Sequence, residues 1–173
     1  MPLRLLLVRH GLSSFNKERR IQGRDDLSNL SDEGHEQARA LGRSLQEVSF
    51  QAIYSSPLQR AAATTASLLE AHAGQAPDVL LDDGLLEVDL EPWSGQTIDE
   101  LIEGSPEAYS IWKQQPMRLE LQRRDGSSYK PLAELMEQAR GFITNLLQSH
   151  PVDGNDTVLV VAHNAILRCL MLV

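Results

Sequence analysis

The chain is short of cysteine, of long apolar runs and of positive charge, and each shortage removes a class of protein. Its single cysteine, Cys169, can form no intramolecular disulfide and no cysteine-based zinc site. No apolar stretch approaches the roughly 18 residues of a membrane span. The opening Met-Pro-Leu-Arg-Leu-Leu-Leu-Val-Arg-His reaches Arg9 too soon for a secretory apolar segment. The expectation is a cytoplasmic protein without a membrane partner. Sixteen Lys and Arg against 24 Asp and Glu leave a net charge of −8. That balance argues against a general nucleic-acid or anionic-membrane binder. Internal repeats and low-complexity tracts are absent as well.

What is present fits an ordinary globular domain, 42% apolar and 23% charged over 173 residues. That length suits one domain whose core needs no disulfide or metal staple. The charge is uneven. Residues 1–60 carry nine basic and seven acidic side chains, and residues 61–173 carry seven and seventeen.

Apolar runs alternate with helical patterns, which predicts an α/β fold with a mostly parallel sheet. Leu3 to Val8 reads as a strand buried on both faces. Ser31 is an N-cap, with Ala38, Leu41, Leu45 and Val48 following at helical spacing. Ala52-Ile53-Tyr54 is a short strand, and Ser56-Pro57 starts the next helix as N-cap and first residue. Val79-Leu80-Leu81 is another short strand. Thr97 to Glu100 is a capping box, and Ser105-Pro106 opens a helix with Tyr109 and Trp112. Residues 116–129 read as an irregular polar excursion. Pro131 starts a helix with one apolar stripe, Leu132 to Leu146. Thr157 to Ala162 is a second buried strand. The apolar run after His163 ends on Leu-Met-Leu-Val with no cap or stop signal. A longer parent chain is therefore expected, and a termination codon directly after Val173 would refute it.

Two histidines each follow a buried strand, His10 and His163. Ligands of open parallel sheets bind beyond the strands' carboxyl ends, so the pair should converge on one edge. Arg9 adjoins His10, and Arg60 lies in the first turn of a helix that follows a strand. Gly11 permits close approach or an unusual backbone angle. Asn16 adds an amide donor. Two arginines, two histidines and an amide on one edge describe a site for an oxyanion of about phosphate size. Leaving-group protonation would need an acid. Glu87, Asp89 and Glu91 all qualify, and residue chemistry alone does not choose among them. His35, His72 and His150 have no evident partners and read as surface residues; Cys169 reads as core.

Five ordered blocks carry a resemblance. Leu-Val-Arg-His-Gly-Leu-Ser-Ser-Phe-Asn (7–16) resembles the signature of the histidine phosphatase superfamily, also called phosphoglycerate mutase-like. The segments Gln22-Gly23-Arg24 to Ala38, Tyr54 to Ala61, Leu86 to Gly95, and Val160 to Asn164 resemble its further blocks. The resemblance implies a three-layer α/β/α fold. It also implies His10 as a phosphorylated nucleophile and Glu87 as general acid. Arg9, Asn16, Arg60, His163 and Asn164 would form the phosphate pocket, with His163 cationic, and neither a metal nor another cofactor would be required. Gln22, Gly23, Tyr109 and Arg118 would bear on specificity, with residues 105–130 as a lid.

Against the family pattern, Ala165 replaces a usual glycine, and the chain stops before the family's final helix and strand. The span from Glu87 to His163, a separation of 76 positions, and the acidic block with Trp93 resemble the phosphatase branch. The chain also resembles the N-terminal domain of two-domain members found in cyanobacteria, some similar to phosphoserine phosphatases. The expectation is a phosphomonoesterase acting on a small phosphorylated metabolite, as a homodimer or with a second domain. The competing readings are a phosphoglycerate mutase, a non-catalytic phosphate- or phosphoprotein-binding module, and a metal enzyme built on His10, His163 and Asp89.

Overall fold

The computed structural model describes residues 2–173, along which strands and helices alternate. In chain order they are β1 (Arg4–Arg9), α1 (Ser14–Lys17), α2 (Asp32–Ser44), β2 (Ala52–Ser55), α3 (Gln59–Ala71), β3 (Val79–Leu81), α4 (Ile98–Gly104), α5 (Pro106–Gln114), β4 (Leu121–Gln122), β5 (Ser128–Tyr129), α6 (Pro131–Ser149), β6 (Thr157–Ala162) and α7 (Asn164–Leu170). Four strands form one parallel sheet in the order β1-β6-β2-β3.

Alternation along the strands splits the core in two. Leu6, Val8, Ile53, Leu159 and Val161 pack with Ala38, Phe50 and Leu68, and so against α2 and α3. Leu5, Leu7, Ala52, Val158, Val160 and Ala162 pack with Leu135, Phe142, Leu146 and Ile166, and so against α6 and α7. The architecture is three-layer α/β/α, as the family resemblance implied. The Ser31 cap and the Thr97–Glu100 capping box both form. The stripe on α6 faces the core, with Leu135, Ala139, Phe142 and Leu146 buried.

Four local expectations change. Strand β1 is only half-buried, because it ends the sheet with β6 as its one neighbour; β6 is the strand buried at every position. Helix α3 begins at Gln59, two residues later than expected. Ser56 is engaged elsewhere, and Asp26 Oδ1 accepts the Gln59 N–H at 2.7 Å in its place. The stretch 116–129 is not irregular throughout. It contains the β4–β5 hairpin, which turns at Gly126 (φ +87°) and buries Leu119, Leu121 and Tyr129. The three remaining histidines all have partners: His35 bonds Ser67, His72 bonds the Val48 carbonyl, and His150 bonds Asp156 and Tyr54. His72 is buried outright. These partners lie 24 to 96 residues away, apart from Asp156 at six.

Register sets up the site. Arg9 pairs with Ala162, so His10 and His163 leave adjacent strands side by side.

Candidate active site

His10 is buried, and its Nδ1 lies 2.8 Å from the Gly11 carbonyl. A carbonyl can only accept, so Nδ1 carries the proton and Nε2 keeps a free lone pair. Burial lowers the His10 pKa to about 4, helped by the charges of Arg60 and Arg9 and opposed by the Gly11 bond. The ring is therefore neutral at physiological pH. Gly11 is needed for close approach, since a Cβ there would lie 2.5 Å from the Gly34 carbonyl oxygen of α2. The Gly11 N–H donates to Thr64 Oγ1 at 3.0 Å, and Thr64 in turn donates to the Arg60 carbonyl at 2.6 Å.

The His163 ring centroid lies 5.2 Å from that of His10. His163 is fully buried, and its Nε2 is 2.8 Å from Ser56 Oγ. Burial, reinforced by Arg60, His10 and Arg9, lowers its pKa to about 2. Burial thus favours the neutral form of His163 over the cation that the resemblance implies. Arg60 is also fully buried. It donates to the carbonyls of Asp25 at 2.9 Å and Gly23 at 2.7 Å, which ties the 23–25 loop down over the site. Arg60 Nε and His163 Nδ1 are both buried without a protein partner.

Of the three candidate carboxyls, Glu87 is the one tied to the helix that follows His163. The Glu87 carboxyl accepts the Ala165 and Ile166 N–H groups, each at 3.2 Å, where α7 has no cap of its own. A loop carboxyl thus caps the helix that follows His163. Burial raises the Glu87 pKa, against the opposing effects of its backbone bonds and of Arg60. That favours a protonated acid. Asp89 instead accepts the Glu91 N–H, and Glu91 pairs with Arg124. Ala165, the departure from the family's glycine, keeps its backbone donor on Glu87.

Arg9, His10, Gly11, Leu12, Asn16 and Gln37 line a depression of about 230 Å³. Asn16 Oδ1 accepts from Ser13 N–H and Ser13 Oγ, which leaves its amide nitrogen as the free end. Gln22 also bonds Ser13 Oγ. Asn164 is the exposed first residue of α7 and does not line the depression; neither do Tyr109 or Arg118. Tyr109 packs on the larger core, and Arg118 is exposed beyond α5. Sequence reasoning missed Ser13, Ser56 and Thr64. Thr64 stands one helical turn after Arg60, and Ser56 directly follows β2 at the sheet edge that carries both histidines. Those placements were the available signals.

A neutral histidine with a free lone pair, the buried Arg60, the exposed Arg9 and the buried Glu87 carboxyl stand at a parallel-sheet edge, an arrangement that can receive an anionic ester. The sequence matches the histidine phosphatase superfamily (branch 1) over residues 5–173, and the chain belongs to that family. It is 34% identical to phosphoserine phosphatase 1 of Hydrogenobacter thermophilus over 97% of this chain and 74% of that protein. It is 33% identical to a probable 2-carboxy-D-arabinitol-1-phosphatase of Arabidopsis thaliana, over 97% of this chain and 32% of that one. The structure of Bacillus stearothermophilus YhfR superposes with a TM-score of 0.86 at 31% identity, covering 98% of this chain and 78% of that one.

Proposed function

We propose that the chain is a phosphomonoesterase that acts through a phosphohistidine on His10. The observation that carries this is the His10–Gly11 bond, which holds a neutral ring with Nε2 free in a depression shared with Arg9. Nε2 attacks phosphorus and the ester P–O bond breaks. Glu87 gives its proton to the leaving alkoxide. Water then attacks the phosphohistidine, Glu87 takes back a proton, and inorganic phosphate leaves. Arg9 and Arg60 supply the positive charge that phosphoryl transfer requires, so the step needs no metal. The Asn16 amide and His163 complete the phosphate shell.

The substrate is a small phosphorylated metabolite. The phosphoserine phosphatase relative supports a compact, charged leaving group. Residues 105–130 form the leaving-group side. Tyr129 OH donates to the Asp89 carbonyl at 3.1 Å, and Trp112 meets Trp93 edge to face, so this excursion is fastened to the acid loop.

The test is a phosphomonoester panel of phosphoserine, phosphosugars, phosphoglycerate and a nucleoside monophosphate, with His10→Ala as control. Turnover with an acid-labile phosphoenzyme that His10→Ala abolishes is expected. Labelling retained in the variant, or inactivity on every ester, overturns the reading. Isomerisation of phosphoglycerate would identify a mutase instead.

A further inference from the structure

His163 has a partner for which the phosphatase chemistry gives no role. Its Nε2 lies 2.8 Å from Ser56 Oγ, and both residues are fully buried. Ser56 Oγ also accepts a long bond from the Leu58 N–H at 3.4 Å. A hydroxyl has one hydrogen to give. Among the described residues, His163 Nε2 is its only acceptor in reach. If Nε2 carried the ring proton, Ser56 Oγ would accept twice and its own hydrogen would be buried unbonded. If Nε2 is bare, both side chains are satisfied at this contact.

We propose that Ser56 is a positioning residue whose hydroxyl donates to His163 Nε2 and holds the imidazole in the tautomer protonated on Nδ1. This rests on the reading of the His10 site as a phosphate pocket. Nδ1–H is then a buried donor with no protein acceptor, like the neighbouring Arg60 Nε–H. The two offer hydrogens in the same sense to phosphate oxygens. Because the surroundings keep His163 neutral, its tautomer decides what it offers. Nδ1–H attracts an oxyanion, whereas a lone pair at Nδ1 repels one. The Ser56 N–H bonds the Val161 carbonyl of β6, so the strand that carries His163 also anchors the residue that sets it.

Two-bond 15N–1H correlations of the His163 ring in labelled protein report the tautomer directly. The expected spectrum has Nδ1 protonated and Nε2 bare. In Ser56→Ala the ring should shift toward Nε2–H, and inhibition by inorganic vanadate should weaken about 10–100-fold. Ser56→Thr, which keeps the hydroxyl, should restore both. A wild-type ring protonated on Nε2 overturns the proposal, whether or not the alanine variant folds. A folded Ser56→Ala with unchanged tautomer and vanadate inhibition overturns it too. An unreactive enzyme whose His163 is protonated on Nδ1 would strike the phosphatase reading and leave the tautomer assignment standing.

Discussion

Two depressions on this molecule differ in a way that separates a site from a charged surface. The larger, about 460 Å³, is lined by Arg24, Asp25, Asp89, Glu91, Ser94, Arg123 and Arg124. Its charges satisfy one another or the local backbone. Arg123 pairs with Glu134 and Arg124 with Glu91. Asp25 accepts from Ser94, and Arg24 donates to the Glu87 carbonyl and to Gln138. The smaller one is half that size, yet next to His10 lie buried polar atoms with nothing to bond, Arg60 Nε and His163 Nδ1. Leaving a buried donor unbonded costs about 1–3 kcal/mol, a penalty that an anionic ligand can relieve. Size and charge count point to the first depression, and unspent hydrogen-bonding capacity to the second.

The contrast breaks most sharply at Arg60. Arg60→Met should lower kcat/KM by about 10³–10⁵, the range found for an arginine that stabilises a transferring phosphoryl group. The same change strands the Gly23 and Asp25 carbonyls, so thermal melting should fall as well. Steady-state kinetics on a folded variant decide the matter. A loss below tenfold would mean that Arg60 serves the loop alone.

Glu87→Gln comes next, with a loss of about 10²–10⁴ in kcat on alkyl phosphates. The loss should be far smaller on p-nitrophenyl phosphate, whose leaving group departs without a proton. Its pH dependence has a definite sign. The first step needs His10 neutral and Glu87 protonated. Activity should therefore rise as His10 loses its proton near about 4. It should fall as Glu87 ionises above the ordinary carboxylate range, where burial has moved it. The glutamine variant should lose the falling limb and keep the rising one. Equal losses on both esters would remove Glu87 from the acid role.

These groups were not equally legible in the sequence. His10, His163 and Arg60 could be placed on one edge because a parallel sheet puts all its strand ends there, and strand periodicity is local. Glu87 could not be told from Asp89 and Glu91 by its chemistry. The choice depends on which carboxyl meets the N–H groups of α7, 78 and 79 residues away. Ser56 was misread for a related reason. A serine before proline at a strand end fits a helix cap, and only the fold brings His163 within reach of its hydroxyl. The charge state of His163 depends on burial by elements from the whole chain, which residue type does not reveal.

Thr64→Val tests the support of the nucleophile. It keeps the side-chain shape and removes the acceptor of the Gly11 N–H. A drop of about tenfold in kcat is expected, at the low end for loss of a supporting hydrogen bond, with the substrate KM little changed. An unchanged rate would mean that the close contact with Gly34 holds the His10 loop without help.

The smallest effect belongs to the larger depression. The Arg124 side chain is 87% exposed and lies 3.3 Å from Glu91. An ion pair so exposed to solvent and salt contributes little. Arg124→Ala should therefore leave the melting temperature unchanged and kcat/KM within about twofold, because a screened charge that already has a partner has little left to offer a ligand. The decisive comparison runs the variant on two esters, one with a carboxylate on its leaving group and one without. If KM rises about tenfold for the carboxylate ester alone, Arg124 exchanges Glu91 for substrate. The larger depression would then be the leaving-group half of one extended site, and pairing within the free protein would no longer separate the two.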